Sequence, residues 1–282
     1  MTAACQADRL VAEIAGYDGC AVAFSGGVDS AVVLRAAHAA LGPRALAVVG
    51  VGPALAEAER GDARRLAEQL GVELVEVDTA EIEREAYRAN GSDRCFHCKT
   101  ELYGEVVAVA RARGLSVVAN GANADDAGDY RPGAQAAADY AVRSPLADCG
   151  FAKADVRAIA RHWGLPVADK PASPCLASRL AYGVPVTPER LDRVEQAEKH
   201  LRGLGLIEFR VRYHGDDLAR IEAPPAEIAR LADAATRGEL VRFFSQLGFR
   251  YVTLDLAGFR SGSLNAVLPA ESLGVWSATP SR

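Results

Sequence analysis

Long apolar runs are missing from this sequence. No stretch approaches the roughly 18 consecutive apolar residues that a membrane-spanning helix needs, so no membrane span is predicted. The opening residues MTAACQADRL lack a basic segment followed by an apolar one, which predicts no secretory leader and a cytoplasmic protein. Positive charge is in deficit. The 32 Lys and Arg face 37 Asp and Glu, a formal net charge of −5, and this balance argues against a general nucleic-acid binder. Cysteine is sparse, and six thiols in a reducing compartment do not predict a disulfide framework. Repeats and low-complexity segments are absent as well. What remains is the balance of a globular protein: 282 residues, half of them hydrophobic, suffice for one large or two modest domains with a sizeable core.

The first 170 or so residues alternate short apolar runs with amphipathic stretches. Strands are expected at Cys20–Phe24, Arg44–Val51, Val72–Val77, Leu115–Ala119 and, as a fifth, Val142–Leu146. Helices are expected from about Asp29 to Leu41, through Leu66 and Leu70, from Lys99 to Arg113, and over Lys153–Trp163. Such alternation predicts a doubly wound α/β fold, a parallel sheet with helices on both faces, and ligands at the carboxyl ends of its strands. A break follows at Gly183-Val184-Pro185-Val186-Thr187-Pro188, where Thr187 can cap a helix that Pro188 opens. Beyond it lie a helix carrying Leu191, Val194, Leu201 and Leu204, a strand Ile207–Tyr213, a segment Asp217–Glu222, helices over Pro225–Ala235 and around Leu240–Leu247, and a strand Tyr251–Leu256. The expected domains are therefore an α/β domain over 1–183, a smaller α+β domain over 184–270, and a frayed tail over 271–282.

The reason for expecting ATP is Ser25-Gly26-Gly27-Val28-Asp29-Ser30, which leaves a strand and opens a helix. Two glycines let the backbone approach an anion, and the helix start offers unpaired N–H groups and positive dipole. Ser25 and Ser30 add hydroxyls. No Lys follows, so the GxxxxGK[ST] loop is excluded and a leaving pyrophosphate is the better match. Asp29 either coordinates Mg²⁺ or holds the loop in shape. A second polar segment, Asn120-Gly121-Ala122-Asn123-Ala124-Asp125-Asp126-Ala127-Gly128-Asp129-Tyr130-Arg131-Pro132-Gly133, follows the fourth strand. Gly121, Asn123, Asp125 and Arg131 are its candidate nucleotide contacts, the carboxylates through Mg²⁺ and Arg131 through bidentate pairing with phosphate or carboxylate. A solvated turn with Asx caps is the alternative.

Three cysteines sit in polar surroundings. Cys95 and Cys98 form a CxxC before a helix, and Cys175 lies in Ser173-Pro174-Cys175-Leu176-Ala177-Ser178-Arg179-Leu180. A thiol near Arg and a helix start is a candidate nucleophile for an acyl-adenylate, so Cys175 is read as catalytic, with Asp29 and Arg179 beside it. The pair Cys95 and Cys98 admits a zinc site, a redox pair, or an iron–sulfur cluster completed by Cys175. In the second domain Arg210 and Arg212 alternate on one strand and Arg260 lies in a short polar loop. With Ser178, Arg179 and Glu198 they are candidate contacts for a substrate's phosphate and carboxylate.

The hexapeptide resembles the pyrophosphate-loop ATPases, which include asparagine, GMP and NAD synthetases and tRNA-thiolating enzymes and release AMP and pyrophosphate. The ordered set SGGVDS, DRCFHCKTELY, NGANADDAGDYRPG and SPCLASRLAYG resembles more narrowly the ATP-dependent sulfur transferases of nickel-pincer nucleotide biosynthesis, the cofactor pathway of lactate racemase. The resemblance implies adenylation of a carboxylate on a pyridinium dicarboxylate mononucleotide, then displacement of AMP by a cysteine matching Cys175. In single-cysteine members that residue gives up its own sulfur and becomes dehydroalanine. Three-cysteine members resemble tRNA-thiolating enzymes in binding a [4Fe-4S] cluster whose ligand-free iron carries an extra sulfide. Cys95, Cys98 and Cys175 place this chain with the cluster version. The resemblance further implies ATP and Mg²⁺, a supply of sulfide or a cysteine desulfurase, and a homo-oligomer, often a hexamer. Thiolation of tRNA by the same chemistry needs a basic surface, and the acidic charge counts against it.

Overall fold

A computed structural model describes residues 1–128, 132–260 and 263–264. In chain order it contains α1 (Ala3–Ala15), β1 (Cys20–Ala23), α2 (Val28–Leu41), β2 (Ala45–Val51), α3 (Glu57–Leu70), β3 (Leu74–Asp78), α4 (Glu85–Arg88), α5 (Arg94–Ala112), β4 (Val117–Ala119) and α6 (Pro132–Asp139). Then come α7 (Pro145–Asp148), α8 (Lys153–His162), α9 (Pro188–Gly203), β5 (Arg210–His214), β6 (Leu218–Glu222), α10 (Pro225–Ala232), α11 (Ala234–Gln246) and β7 (Tyr251–Leu254). Contacts divide the chain into two units. One is Met1–Glu81 with Cys95–Ser173; the other is Ile82–Arg94 with the chain from Pro174. The division thus falls after Ser173 rather than at 183, and it assigns Ile82–Arg94 to the second unit. The expected tail, 271–282, lies outside the described residues.

The first unit is the expected α/β fold. Its four strands are all parallel, in the order β3-β2-β1-β4. Alternate strand residues face opposite sides. Cys20, Val22, Phe24, Ala45, Ala47 and Val49 join the core formed with α1, α2 and α8, whereas Ala21, Leu46, Val48 and Val118 pack with Val106 and Ala110 of α5. Small residues let α2 lie deep in this core, with Ala31, Val32, Val33, Leu34, Ala36 and Ala37 all fully buried. Truncating Leu34 to Ala there costs about 2–5 kcal/mol. Winding runs outward from β1 through β2 to β3, then returns to add β4 on the other side. The carboxyl ends of β1 and β4 therefore flank a topological switch point, where such sheets bind ligands.

Three local expectations change. Val142–Leu146 is not a strand: Arg143 makes one parallel bridge to Ala119, and Pro145 then opens α7. Helix α5 begins at Arg94, so the CxxC lies inside its first turns instead of preceding it. The helix expected over Pro225–Ala235 ends at Ala232, because Asp233 turns outward and its carboxylate caps α11 through the N–H groups of Ala235 and Thr236.

In the second unit β5 pairs antiparallel with β6, and β6 pairs parallel with β7. Val211, Tyr213, Ala219 and Ile221 are buried, as are Leu191, Val194 and Leu201 of α9. Thr187 caps α9 by accepting from the Arg190 N–H at 3.3 Å, with Pro188 at the first position. Among the described residues no helix is long and apolar enough to cross a membrane.

Candidate active site

The phosphate loop is closed by its own hydroxyls. Ser30 is buried; its Oγ donates to the Gly27 carbonyl at 3.1 Å and accepts from the Ser25 N–H at 3.2 Å. Ser25 Oγ lies 3.2 Å from Ser30 Oγ and accepts from Gly27 N–H at 3.4 Å. Gly26 has φ +69°, and a Cβ there would stand 3.2 Å from Ala63 of α3. Both facts demand glycine. Gly27 precedes α2 with no side-chain cap, which leaves the first N–H groups of the helix for an incoming anion.

The segment after β4 is joined to this loop. A Cβ on Gly121 would stand 2.7 Å from the Ser30 nitrogen, so only bare backbone fits against the start of α2. Asn120 fixes the strand end, donating to Tyr103 Oη at 3.1 Å and accepting from Ala122 N–H and Ser144 Oγ. Asn123 donates to Asp29 Oδ1 at 3.2 Å, and its own Oδ1 accepts from the Asp125 N–H at 3.1 Å. The other oxygen of Asp29 pairs with Lys153 Nζ, while the Lys153 N–H donates to Asp125 Oδ2 at 2.8 Å. Asp29 is therefore held by two donors. Arg131 lies outside the described residues.

Lys153 was not among the sequence-derived candidates. The loop lacks a following Lys, but one arrives from the start of α8, far along the chain. A cation at the first position of a helix opposes the helix dipole. That misplacement is the signal by which the sequence could have revealed it.

In the second unit Cys175 is exposed and caps a 3-10 turn over Leu176–Arg179. Its carbonyl accepts from Ser178 N–H (3.0 Å), Ser178 Oγ (2.7 Å) and an Arg179 guanidinium N–H (3.1 Å). Arg179 also donates to the Pro174 carbonyl and forms a fork with Glu198, at 3.0 and 3.2 Å. Both partners of that pair are almost fully buried, with side chains 4% and 6% exposed. Glu198 additionally accepts from the Val211 N–H, so it serves Arg179 and the backbone of β5. Arg212 is buried too. It donates to Glu222 at 2.9 Å, to the Ser178 carbonyl at 3.2 Å and to Ser263 Oγ at 3.1 Å. Arg210 is half-buried over the Phe259 ring at 5.1 Å. Burial, and then the charges of Arg179 and Arg212, pulls its pKa down. Burial also lowers that of Arg212, against the pull of Glu222. Arg179 and Arg212 are each paired with a buried carboxylate, Glu198 and Glu222. Arg260 is exposed.

Cys95 is exposed and Cys98 half-buried on the first turns of α5. None of the six cysteines is in a disulfide. Among the described residues no three His, Cys, Asp or Glu side chains are gathered into a preformed metal site.

Residues 6–123 match the NAD synthase family. The chain is 38% identical over 277 residues to the pyridinium-3,5-bisthiocarboxylic acid mononucleotide synthase of Lactiplantibacillus plantarum, covering 98% of this chain and 99% of that one. It is 46% identical over 247 residues to an uncharacterized protein of Synechocystis sp., covering 88% and 92% of the two chains. An uncharacterized protein of Methanocaldococcus jannaschii shares 28% identity over 172 residues. By this full-length likeness the chain belongs to the pyrophosphate-loop, ATP-dependent sulfur transferases that include the pyridinium-3,5-bisthiocarboxylic acid mononucleotide synthase.

Proposed function

We propose that this protein adenylates a carboxylate of a pyridinium dicarboxylate mononucleotide and converts it to a thiocarboxylate. The observation that carries the reading is the junction at the switch point, where a self-closed phosphate loop meets Asp29, Asn123 and Lys153. In the first step a carboxylate oxygen attacks the α-phosphorus of ATP, and the bond to pyrophosphate breaks. The start of α2 and the Lys153 ammonium favour the departing charge. Asp29, the carboxylate within the loop itself, would meet the Mg²⁺ that ATP brings. In the second step sulfur attacks the acyl carbon, and the bond to AMP breaks. Arg210 and Arg260 take the substrate's phosphate and remaining carboxylate, while Ser178, Arg179 and Glu198 fix the turn that bears Cys175.

The sulfur source is the finer part of the proposal. The chain offers three thiols for it, Cys95, Cys98 and Cys175, and thiolate is a soft ligand suited to iron. A [4Fe-4S] cluster held by them, with one iron free of protein ligand, would supply sulfide as the nucleophile. The proposal also includes a cytoplasmic setting, a homo-oligomer and an external supply of sulfide.

Anaerobic purification with iron and sulfide quantitation, on wild type and Cys175→Ala, tests the cluster. Iron in the wild type that is lost from the variant supports it. A wild-type Cys175 that has lost the elements of H₂S after one turnover, becoming dehydroalanine, overturns the cluster and makes Cys175 the donor.

A further inference from the structure

Pro171 to Cys175 are all exposed, and burial begins at Leu176. What holds the buried backbone of residues 176–186 therefore helps to set the position of the Cys175 thiol. Ser178 and Arg179 do part of this from within the turn. The rest comes from a distant stretch of chain, Glu85–Arg94, which belongs to the same unit.

Asn90 is the centre of that stretch. It is fully buried and adopts φ +56°, a left-handed conformation that Asn tolerates better than most residues. Its Nδ2 donates to the carbonyls of Ala181 and Val184, each at 2.8 Å, and its Oδ1 accepts from Arg94. Its carbonyl accepts from Gly183 N–H at 3.1 Å, and one turn earlier the Arg88 carbonyl accepts from Val186 N–H at 2.8 Å. Arg94, itself buried, continues from Asn90 to the carbonyl of Ala177 at 2.9 Å. The turn after Cys175 is thus gripped at Ala177, Ala181, Gly183, Val184 and Val186 by one short strap. Burying the polar groups of Asn90 and Arg94 costs desolvation that their hydrogen bonds to the turn offset.

We propose that Asn90 and Arg94 are positioning residues for Cys175. Neither touches the reacting atoms; together they fix the backbone that aims the thiol. The inference rests on the reading that sulfur transfer takes place at Cys175. The side chains are matched to the task. Asn has the two donors and one acceptor that the carbonyls of Ala181 and Val184 and the Arg94 guanidinium require. Asp would bring negative charge to those carbonyls, and Gly would keep the left-handed backbone while losing the bonds.

The test uses full-length protein purified anaerobically, with Asn90→Gly, Arg94→Met and Arg94→Lys. Pyrophosphate release in the first turnover reads adenylation, thiocarboxylate formation reads sulfur transfer, and hydrogen exchange over residues 176–186 without nucleotide reads the strap. Expected for Asn90→Gly and Arg94→Met is faster exchange in that segment and a loss of about 10²-fold in sulfur transfer, the scale of a misplacement near 1 Å. Pyrophosphate release stays within about twofold, and Arg94→Lys recovers part of the loss. The proposal is overturned if exchange is unchanged, if sulfur transfer is unchanged, or if both steps fall by one factor. Should Arg94→Met fail to fold, Asn90→Gly and Arg94→Lys carry the same comparison. Wild type that makes no thiocarboxylate would overturn the reading of function instead, and the exchange comparison would still test the strap.

Discussion

The phosphate loop and the Cys175 turn are both short polar turns that enter a helix, yet they are held in opposite ways. The loop is closed by Ser25, Gly27 and Ser30, all within six residues of each other. The Cys175 turn draws on Asn90, Arg94, Glu198 and Arg212, from segments on both sides of it in the chain. The difference follows from what each must present. An anion is bound by backbone N–H groups and a helix dipole, which any chain with the right glycines supplies. A thiol must point in one direction, and backbone alone does not aim a side chain. The turn therefore carries polar bonds from distant segments to its backbone, whereas those that reach the loop from afar, from Asn123 and Lys153, end on the Asp29 carboxylate.

The largest expected effect separates the two chemically. Cys175→Ala should abolish thiocarboxylate formation while the first-turnover release of pyrophosphate continues, measured by product mass and by a coupled pyrophosphate assay. If pyrophosphate release stops as well, Cys175 belongs to the phosphate chemistry and the separation is wrong. Lys153→Met probes the other side. It removes the ammonium that pairs with Asp29. Pyrophosphate release should fall by about 10²–10³-fold, the scale of losing one group that stabilises developing charge. Supplying the substrate as a preformed acyl-adenylate should restore sulfur transfer.

The same contrast governs what the sequence reveals. The hexapeptide was legible because its partners are its neighbours, and the parallel sheet because strand–helix alternation is periodic. Lys153 escaped notice because its relation to Asp29 exists only once α8 packs beside α2. No local pattern around Asn90 shows that its carboxamide spans to Ala181 and Val184. Arg210 and Arg212 share a strand face, as period-two spacing requires, but Arg212 is buried against Glu222 of β6 while Arg210 lies half-buried over Phe259. Sequence spacing alone treats the two alike. Val142–Leu146 was apolar enough for a strand, and Pro145 turned it into a helix start.

A stability measurement sharpens the comparison further. Glu198→Ala leaves the Arg179 guanidinium buried without its fork, and breaking a buried pair from one side costs about 3–5 kcal/mol. Urea unfolding should show a loss of that size, with the Cys175 turn exchanging fastest. A loss near that of a surface pair, about 0–1 kcal/mol, would mean that the turn is as self-contained as the phosphate loop.

The smallest effect is expected at the ion pairs around the phosphate loop, because that loop does not depend on them. Arg60 and Arg64 of α3 both fork onto Glu76 of β3, with contacts from 2.6 to 3.1 Å. Their hydrogen bonds, Arg60 first and then Arg64, pull the Glu76 carboxyl down from 4.5 to about 2. The folded value lies below the unfolded one, so the stabilisation is complete above about pH 4.5 and is lost as pH falls towards 2. Glu76→Gln lacks this contribution. Its urea midpoint should change less than that of the wild type between about pH 5 and pH 2.5, and the difference should shrink in 1 M salt, where the Debye length is about 3 Å. Arg64 is half-exposed, so screening keeps the effect small. Pyrophosphate release at neutral pH is the decisive reading. Helix α3 meets the loop where Ala63 stands beside Gly26, and that contact is steric. The rate should therefore survive Glu76→Gln almost unchanged; a loss comparable to that of Lys153→Met would show that the loop, like the Cys175 turn, is held from a distance.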